Sequence, residues 1–217
     1  MRADSDIKWD VENELQWDPD IDSTDIAVTV KNRVVTLAGF VRSYSQKLEA
    51  EAAVKRVAGV IGIANDLEVR LPSEAKRPDP EIAREAVAAI KNQLPYSGDH
   101  IRVVIKNGLI TLEGEVEWNY QRELAANTVR RLKGVMGVSN LIQVKPRAQP
   151  AEVKRKIEEA FRRSAEVDAK HVTVETTGSE VVLRGTVRSW FERQEAERAA
   201  WAAPGVTKVD NRLVISP

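Results

Sequence analysis

Three heptapeptides in this chain are versions of one another: Val35-Thr-Leu-Ala-Gly-Phe-Val41, Ile110-Thr-Leu-Glu-Gly-Glu-Val116 and Val181-Val-Leu-Arg-Gly-Thr-Val187. Apolar residues recur at every second position, and a glycine (Gly39, Gly114 or Gly185) takes the third place of that alternating set. Each therefore reads as a half-buried strand interrupted by a backbone-permissive residue. The register extends well beyond the strand. A shift of 75 positions carries Gly39 to Gly114, Gly59 to Gly134 and Asn65 to Asn140, and a shift of 71 carries these on to Gly185, Gly205 and Asn211. No gap is needed inside a unit, so the difference between the two periods falls in the linkers. Self-similarity on this scale decides the architecture before any propensity does.

The repeat divides the chain into units at 1–72, 78–146 and 149–217. Each opens with a helix whose apolar residues are spaced by four: Ile7, Val11 and Leu15, then Ile82, Ala86 and Ile90, then Val153, Ile157 and Phe161. Ser5 and Asp79 are the expected N-caps, with Pro80 in the first turn of the second copy. A hairpin follows, turning at Lys31-Asn-Arg33, Lys106-Asn-Gly108 and Thr177-Gly-Ser179. Its alternate residues are polar, so one sheet face is wet or is covered by a neighbouring unit.

The second helix starts where Ser43 with Gln46, and Ser189 with Glu192, have capping-box spacing. Its buried stripe is Ala50, Ala53, Val54 and Val57, repeated as Ala125, Thr128, Val129 and Leu132 and as Ala196, Ala199, Ala200 and Ala203. Gly59, Gly134 and Gly205 fit the left-handed residue that closes a helix. The third strands, 63–69, 138–144 and 209–215, follow a helical crossover and are expected parallel to the second. The predicted fold class is α+β: three tandem α-β-β-α-β units, each with two helices packed on a three-stranded sheet of unspecified strand order. The linkers Leu71–Pro80 and Lys145–Pro150 are proline-punctuated and read as fairly stiff spacers.

With 217 residues in three units, each unit is near the lower size limit for a self-sufficient core, so neighbours are expected to dock. A hydrophobic content of 42% and a charged content of 30% are those of a soluble globular protein. The sequence has no run of 18 apolar residues, and the amino terminus lacks the apolar stretch of a secretory signal. The expected compartment is the cytoplasm, with the periplasm as the alternative where a leader has been removed. Zero cysteines exclude disulfides and thiolate chemistry. Residues 1–72 hold 9 basic and 13 acidic side chains (net −4), against net +2 in each later unit. That mild polarity gives no support for nucleic-acid binding.

No catalytic residue, metal site or cofactor is assigned. His100 and His171 occupy one position in two different units, a placement suited to solvent-facing strand starts. The acidic turn Asp18-Pro-Asp-Ile-Asp22, followed by Asp25, lacks the glycine and closing glutamate of a calcium loop, since Thr29 stands at its twelfth position. Asn65, Asn140 and Asn211 share a strand face with apolar residues, and each is expected to tie the helix-closing loop or a neighbouring strand by hydrogen bonds. The basic residues Lys154–Lys156, Arg162 and Arg163 are interspersed with glutamates and read as a solvated helix face.

The order of elements, with Val-x-Leu-x-Gly-x-Val, a helix, Gly-Val and then Val/Ile-x-Asn-x-Leu/Ile-x-Val, resembles the BON domain (bacterial OsmY and nodulation). All three units carry it: Leu37, Gly39, Gly59, Val60, Asn65 and Leu67; Leu112, Gly114, Gly134, Val135, Asn140 and Ile142; Leu183, Gly185, Gly205, Val206, Asn211 and Leu213. The resemblance implies a non-enzymatic binding module of bacterial osmotic and envelope stress that contacts phospholipid membranes or envelope proteins. The aromatics are the candidates for that contact. Trp118, Tyr120, Trp190 and Phe191 stand between the glycine strand and the second helix, beside Arg122 and Arg193. Trp201, at the position of Lys55 and Arg130, and Trp9, at the position of Arg84 and Arg155, fall off the buried stripes of their helices. Trp201 is a candidate exposed anchor, and both tryptophans are candidates for docking between units or between chains, with a homo-oligomeric interaction scaffold as the alternative function.

Overall fold

The computed structural model describes residues 2–145, 153–164, 167 and 171–216. The first unit consists of α1 (Asp4–Trp17), β1 (Ile26–Lys31), β2 (Val34–Val41), α2 (Tyr44–Arg56) and β3 (Gly62–Val69). The second has α3 (Asp79–Gln93), β4 (Ile101–Lys106), β5 (Leu109–Val116), α4 (Asn119–Arg130), β6 (Gly137–Asn140) and β7 (Gln143–Val144). The third has α5 (Val153–Arg163), β8 (Val172–Thr177), β9 (Glu180–Val187), α6 (Trp190–Trp201) and β10 (Lys208–Ile215). The linker that follows Lys145 lies outside the described residues.

In every unit the hairpin is antiparallel and the last strand runs parallel to the second, which places the glycine strand at the centre of its sheet. The α+β architecture of three repeated units is thus the observed one. The second unit's last strand is divided into β6 and β7, yet the Leu141 amide reaches the Leu112 carbonyl at 2.8 Å and the parallel run continues.

The two helices of each unit cover one sheet face, and the core forms between them. The first-helix residues expected inside are all buried, including Ile7, Ile82 and Phe161. In the second helices the stripe is narrower than the spacing predicts. Val57, Thr128, Leu132 and Ala199 are only half-buried, whereas Ala126 is fully buried. The Thr128 hydroxyl donates to the Leu124 carbonyl at 2.7 Å, the helical back-bond that lets a hydroxyl sit on the edge of the buried stripe.

The helix starts differ from expectation for one shared reason. The N-caps are Ala3 and Pro78, which puts Ser5 and Asp79 inside their helices. Asp4 and Asp79 are the first helical residues, and their carboxylates turn away to the hairpins. Asp4 accepts the amides of Asn32 (2.8 Å) and Arg33 (2.9 Å), and Asp79 those of Asn107 (2.7 Å) and Gly108 (2.9 Å). Both turn residues have positive φ in the first two hairpins, between 51° and 74°, the geometry of a two-residue mirror-image turn whose twist suits the strands. One carboxylate therefore fastens the first helix to the hairpin tip. Asp79→Ala leaves the part-buried Gly108 amide and the exposed Asn107 amide without their acceptor, and is expected to cost about 1–2 kcal/mol in urea unfolding followed by circular dichroism.

The second glycine set also departs from expectation. Gly59, Gly134 and Gly205 do have positive φ, 94°, 88° and 89°, but each lies two or three residues beyond its helix cap. A Cβ at Gly134 would stand 2.7 Å from the Ile82 side chain. The glycine lets the loop pass directly beneath the first helix.

Candidate functional site

The starts of α2, α4 and α6 are built alike. The Ser43 and Ser189 hydroxyls each accept the amide three residues on, from Gln46 and Glu192, at 3.1 Å. The return side chains bond one residue earlier than a capping box predicts: Gln46 accepts from the Arg42 amide and Glu192 from the Arg188 amide. Gln121 accepts the amides of Glu117 and Trp118 and donates to the Ser97 hydroxyl at 2.7 Å, which anchors the loop before β4 against this corner.

The aligned asparagines hold the last strand to the body of the second helix, not to its closing loop or to a neighbouring strand. Asn65, Asn140 and Asn211 donate to the carbonyls of Lys47 (3.2 Å), Arg122 (2.9 Å) and Arg193 (3.4 Å). Each side-chain oxygen accepts the amide two residues on, from Leu67, Ile142 or Leu213. Asn65 also donates to Glu51, and Asn211 to Glu197. Burial acts to raise the Glu51 carboxyl, but hydrogen bonds from Lys55 and Asn65 outweigh it and hold the group below its ordinary value.

The helix starts then dock on neighbouring units in one direction. Tyr44, opening α2, packs against the core of the second unit, and the adjacent Ser45 hydroxyl lies 3.5 Å from the Arg130 carbonyl at the end of α4. Trp201, ending α6, packs against the cores of both the second and third units under the Arg122 guanidinium, 4.4 Å from the indole centre. Trp190, opening α6, packs against the core of the first unit, with Lys55 at 5.7 Å and Arg193 at 5.3 Å from its indole. Each junction sets the start of one unit's second helix against the end of the next unit's. Three such head-to-tail contacts close into a ring of units, the outcome open to a heterologous interface whose rotation closes.

This arrangement sorts the candidate residues. Trp190, Arg193, Arg122 and Trp201 are engaged inside the chain, and Trp201 is a junction residue, not an exposed anchor. Arg193 also donates to the carbonyls of Asn211 (2.8 Å) and Leu213 (3.2 Å). Phe191, although half exposed, lines a cavity of about 1060 Å³ between α2, α4 and the start of α6, together with Leu48, Lys55, Leu124 and Arg131. Trp118 (41% exposed) and Tyr120 (62%) remain outward at the second unit's corner, and Trp9 (65%) on α1. Two exposed aromatics were missed by the repeat pattern. Tyr96, beside the anchored Ser97, is 93% exposed, and Trp17 is 86% exposed. Each stands at a helix end, where the periodicity that flags a misplaced apolar residue has run out.

The acidic turn is occupied by its own chain. Asp18 accepts the Asp20 amide and pairs with Arg56, while Asp22 accepts the Thr24 amide and faces Arg42 at 3.6 Å. The hydrogen bond from Thr24 is the main cause that lowers the Asp22 carboxyl below its usual range. Both histidines are exposed, and their carbonyls lie against Gly114 and Gly185 at the strand entries.

Three α+β units of one fold, held together through their helices, define a tandem-repeat protein. The BON domain family model matches residues 3–70, 79–146 and 150–217, so the chain belongs to the BON domain family. Its 129 residues of similarity to osmotically-inducible protein Y of Escherichia coli (strain K12) are 32% identical, covering 58% of this chain and 64% of that protein. The similarity thus spans just under two thirds of the relative's length. Structures of CdsD, a structural protein of the type III secretion system of Chlamydia trachomatis, align over 98–100% of this chain at 17% identity, with a TM-score of only 0.28. Among the described residues no helix is long and apolar enough to cross a membrane.

Proposed function

We propose that this BON protein is a non-enzymatic binding protein that applies the aromatic corner of its second unit to a phospholipid surface in the bacterial envelope during osmotic stress. The observation that carries the reading is the exposure of Trp118, Tyr120 and Tyr96 around one corner that Gln121 and Ser97 hold rigid. Amphipathic rings on a rigid mount suit the headgroup layer, where the ring body is withdrawn from water and its polar tip is not. The net charge of +2 in this unit, against −4 in the first, favours an anionic surface on this side. The name of the osmotically inducible relative supports the stress setting.

Sedimentation with phosphatidylglycerol vesicles tests the reading. The native chain is expected to co-sediment, and Trp118→Ala/Tyr120→Ala to lose at least about tenfold in affinity, equivalent to two buried aromatic anchors. Neither side chain belongs to a core, so the circular dichroism of the variant should be unchanged. Failure of the native chain to bind, or equal binding by the variant, removes lipid contact at this corner.

A further inference from the structure

The exposed tryptophans of α1 call for a separate account, one that does not depend on the lipid reading. Trp9 and Trp17 belong to none of the three cores. The repeat supplies its own control for what the fold requires there. The same positions hold Arg84 and Asn92 on α3, and Arg155 and Arg163 on α5. Two copies of the unit therefore form with charged or polar side chains at both places, and the tryptophans of the first copy answer to something other than folding.

Their surroundings point to the kind of partner. Within α1, Asp4, Asp6, Asp10, Glu12 and Glu14 face a single cation, Lys8, and Asp18 and Asp20 follow directly. Arg2 pairs with Asp10, and Arg56 bridges Glu14 at 2.6 Å and Asp18 at 3.1 Å, which orders the carboxylates along one side of a groove. That groove, of about 820 Å³, runs between α1 and the end of α2 and is lined by Trp9, Asn13, Gln16, Trp17 and Val57 together with the ion pairs Arg2–Asp10 and Arg56–Glu14, so its wall is charge-balanced and the acidic excess lies on the rest of α1 and the turn after it. In the third unit the corresponding groove shrinks to about 270 Å³ and carries Lys156 and Arg163. An identical place in the fold thus changes from shallow, with Lys156 and Arg163 outweighing Glu159, to aromatic and open beside a helix that carries five carboxylates against Lys8.

We infer that the α1 groove, with Trp9 and Trp17, is a docking surface for a positively charged protein segment that presents apolar side chains. Tryptophans supply the desolvated contact area, and the carboxylates supply orientation and on-rate. An anionic membrane is repelled by this face, and a second copy of the chain would bring one acidic helix against another. A basic amphipathic segment meets neither penalty and gains cation–π contact with the indoles.

The test uses the full chain and two synthetic amphipathic probes, a Leu/Lys peptide and its Leu/Glu counterpart, followed by calorimetry and tryptophan emission. The variant Trp9→Arg/Trp17→Asn installs the residues of α3, so the fold should be retained and circular dichroism checks it. The native chain is expected to bind the Leu/Lys peptide with a blue-shifted emission, and the variant to bind at least about tenfold more weakly. The Leu/Glu peptide should not bind. Absence of Leu/Lys binding by the native chain, equal binding by the variant, or equal affinity for the two peptides overturns the inference. So does concentration-dependent dimerisation in light scattering that the variant abolishes, because the groove then belongs to a second copy. Vesicle binding through Trp118 and Tyr120 is read separately and fails or survives on its own.

Discussion

Gly185→Ala is expected to unfold the third unit, while Gly178→Ala in the same hairpin should cost only about 1 kcal/mol. Both glycines have positive φ, 123° and 59°, so the contrast does not come from backbone conformation alone. A Cβ at Gly178 meets nothing within 4 Å, whereas one at Gly185 would lie 2.0 Å from the His171 carbonyl oxygen. That oxygen cannot retreat, because it accepts the Thr186 amide at 3.1 Å across the glycine. Relieving the clash means breaking the strand entry and its pairing with the central strand. A cost above about 4 kcal/mol follows, comparable with the whole stability of a unit this small. Gly39 and Gly114 have the same 2.0 Å approach from the Asp25 and His100 carbonyls, so the alanine variants there should fail equally. Urea unfolding by circular dichroism distinguishes the cases. A Gly185→Ala chain that melts like Gly178→Ala would mean that the strand entry can move.

The glycine strand also shows what a sequence with internal repeats discloses. Three aligned copies made the α-β-β-α-β order, the buried stripes of the first helices and the parallel last strand legible, since local periodicity and chain connectivity determine them. Details that depend on where a side chain finds a partner were less accessible. Asp79 reads as a cap in the sequence, but it is the first helical residue, and its carboxylate goes to the hairpin, whose amides offer two donors together. Asn140 was visible as a polar residue on an apolar face, yet only the packed helix reveals the Arg122 carbonyl as its acceptor. The candidate site was legible as a set of tryptophans that depart from the repeat. Which of them face solvent was not, because Trp201 and Trp118 differ through contacts with units far away in the chain.

Those contacts make the third-to-first junction the weak point of the ring. The first and second units are joined by a linker, as are the second and third, so loss of a docking side chain leaves their effective concentration high. The first and third units share no linker and meet through α2 and α6, with Trp190 at the centre. Trp190→Ala removes the indole from the first unit's core surface and leaves Lys55 and Arg193 without their shared aromatic face. Truncating a central tryptophan costs about 2–4 kcal/mol of docking, enough to open a contact between small units. The expected result is an open string: a larger radius of gyration in small-angle scattering and faster amide exchange along α2, with each unit still folded. Trp118→Ala, one residue earlier in the register of the second unit and outward-facing, should leave both measurements unchanged. If Trp190→Ala scatters like the native chain, the third unit is held to the first by something other than this indole, and the ring does not depend on it.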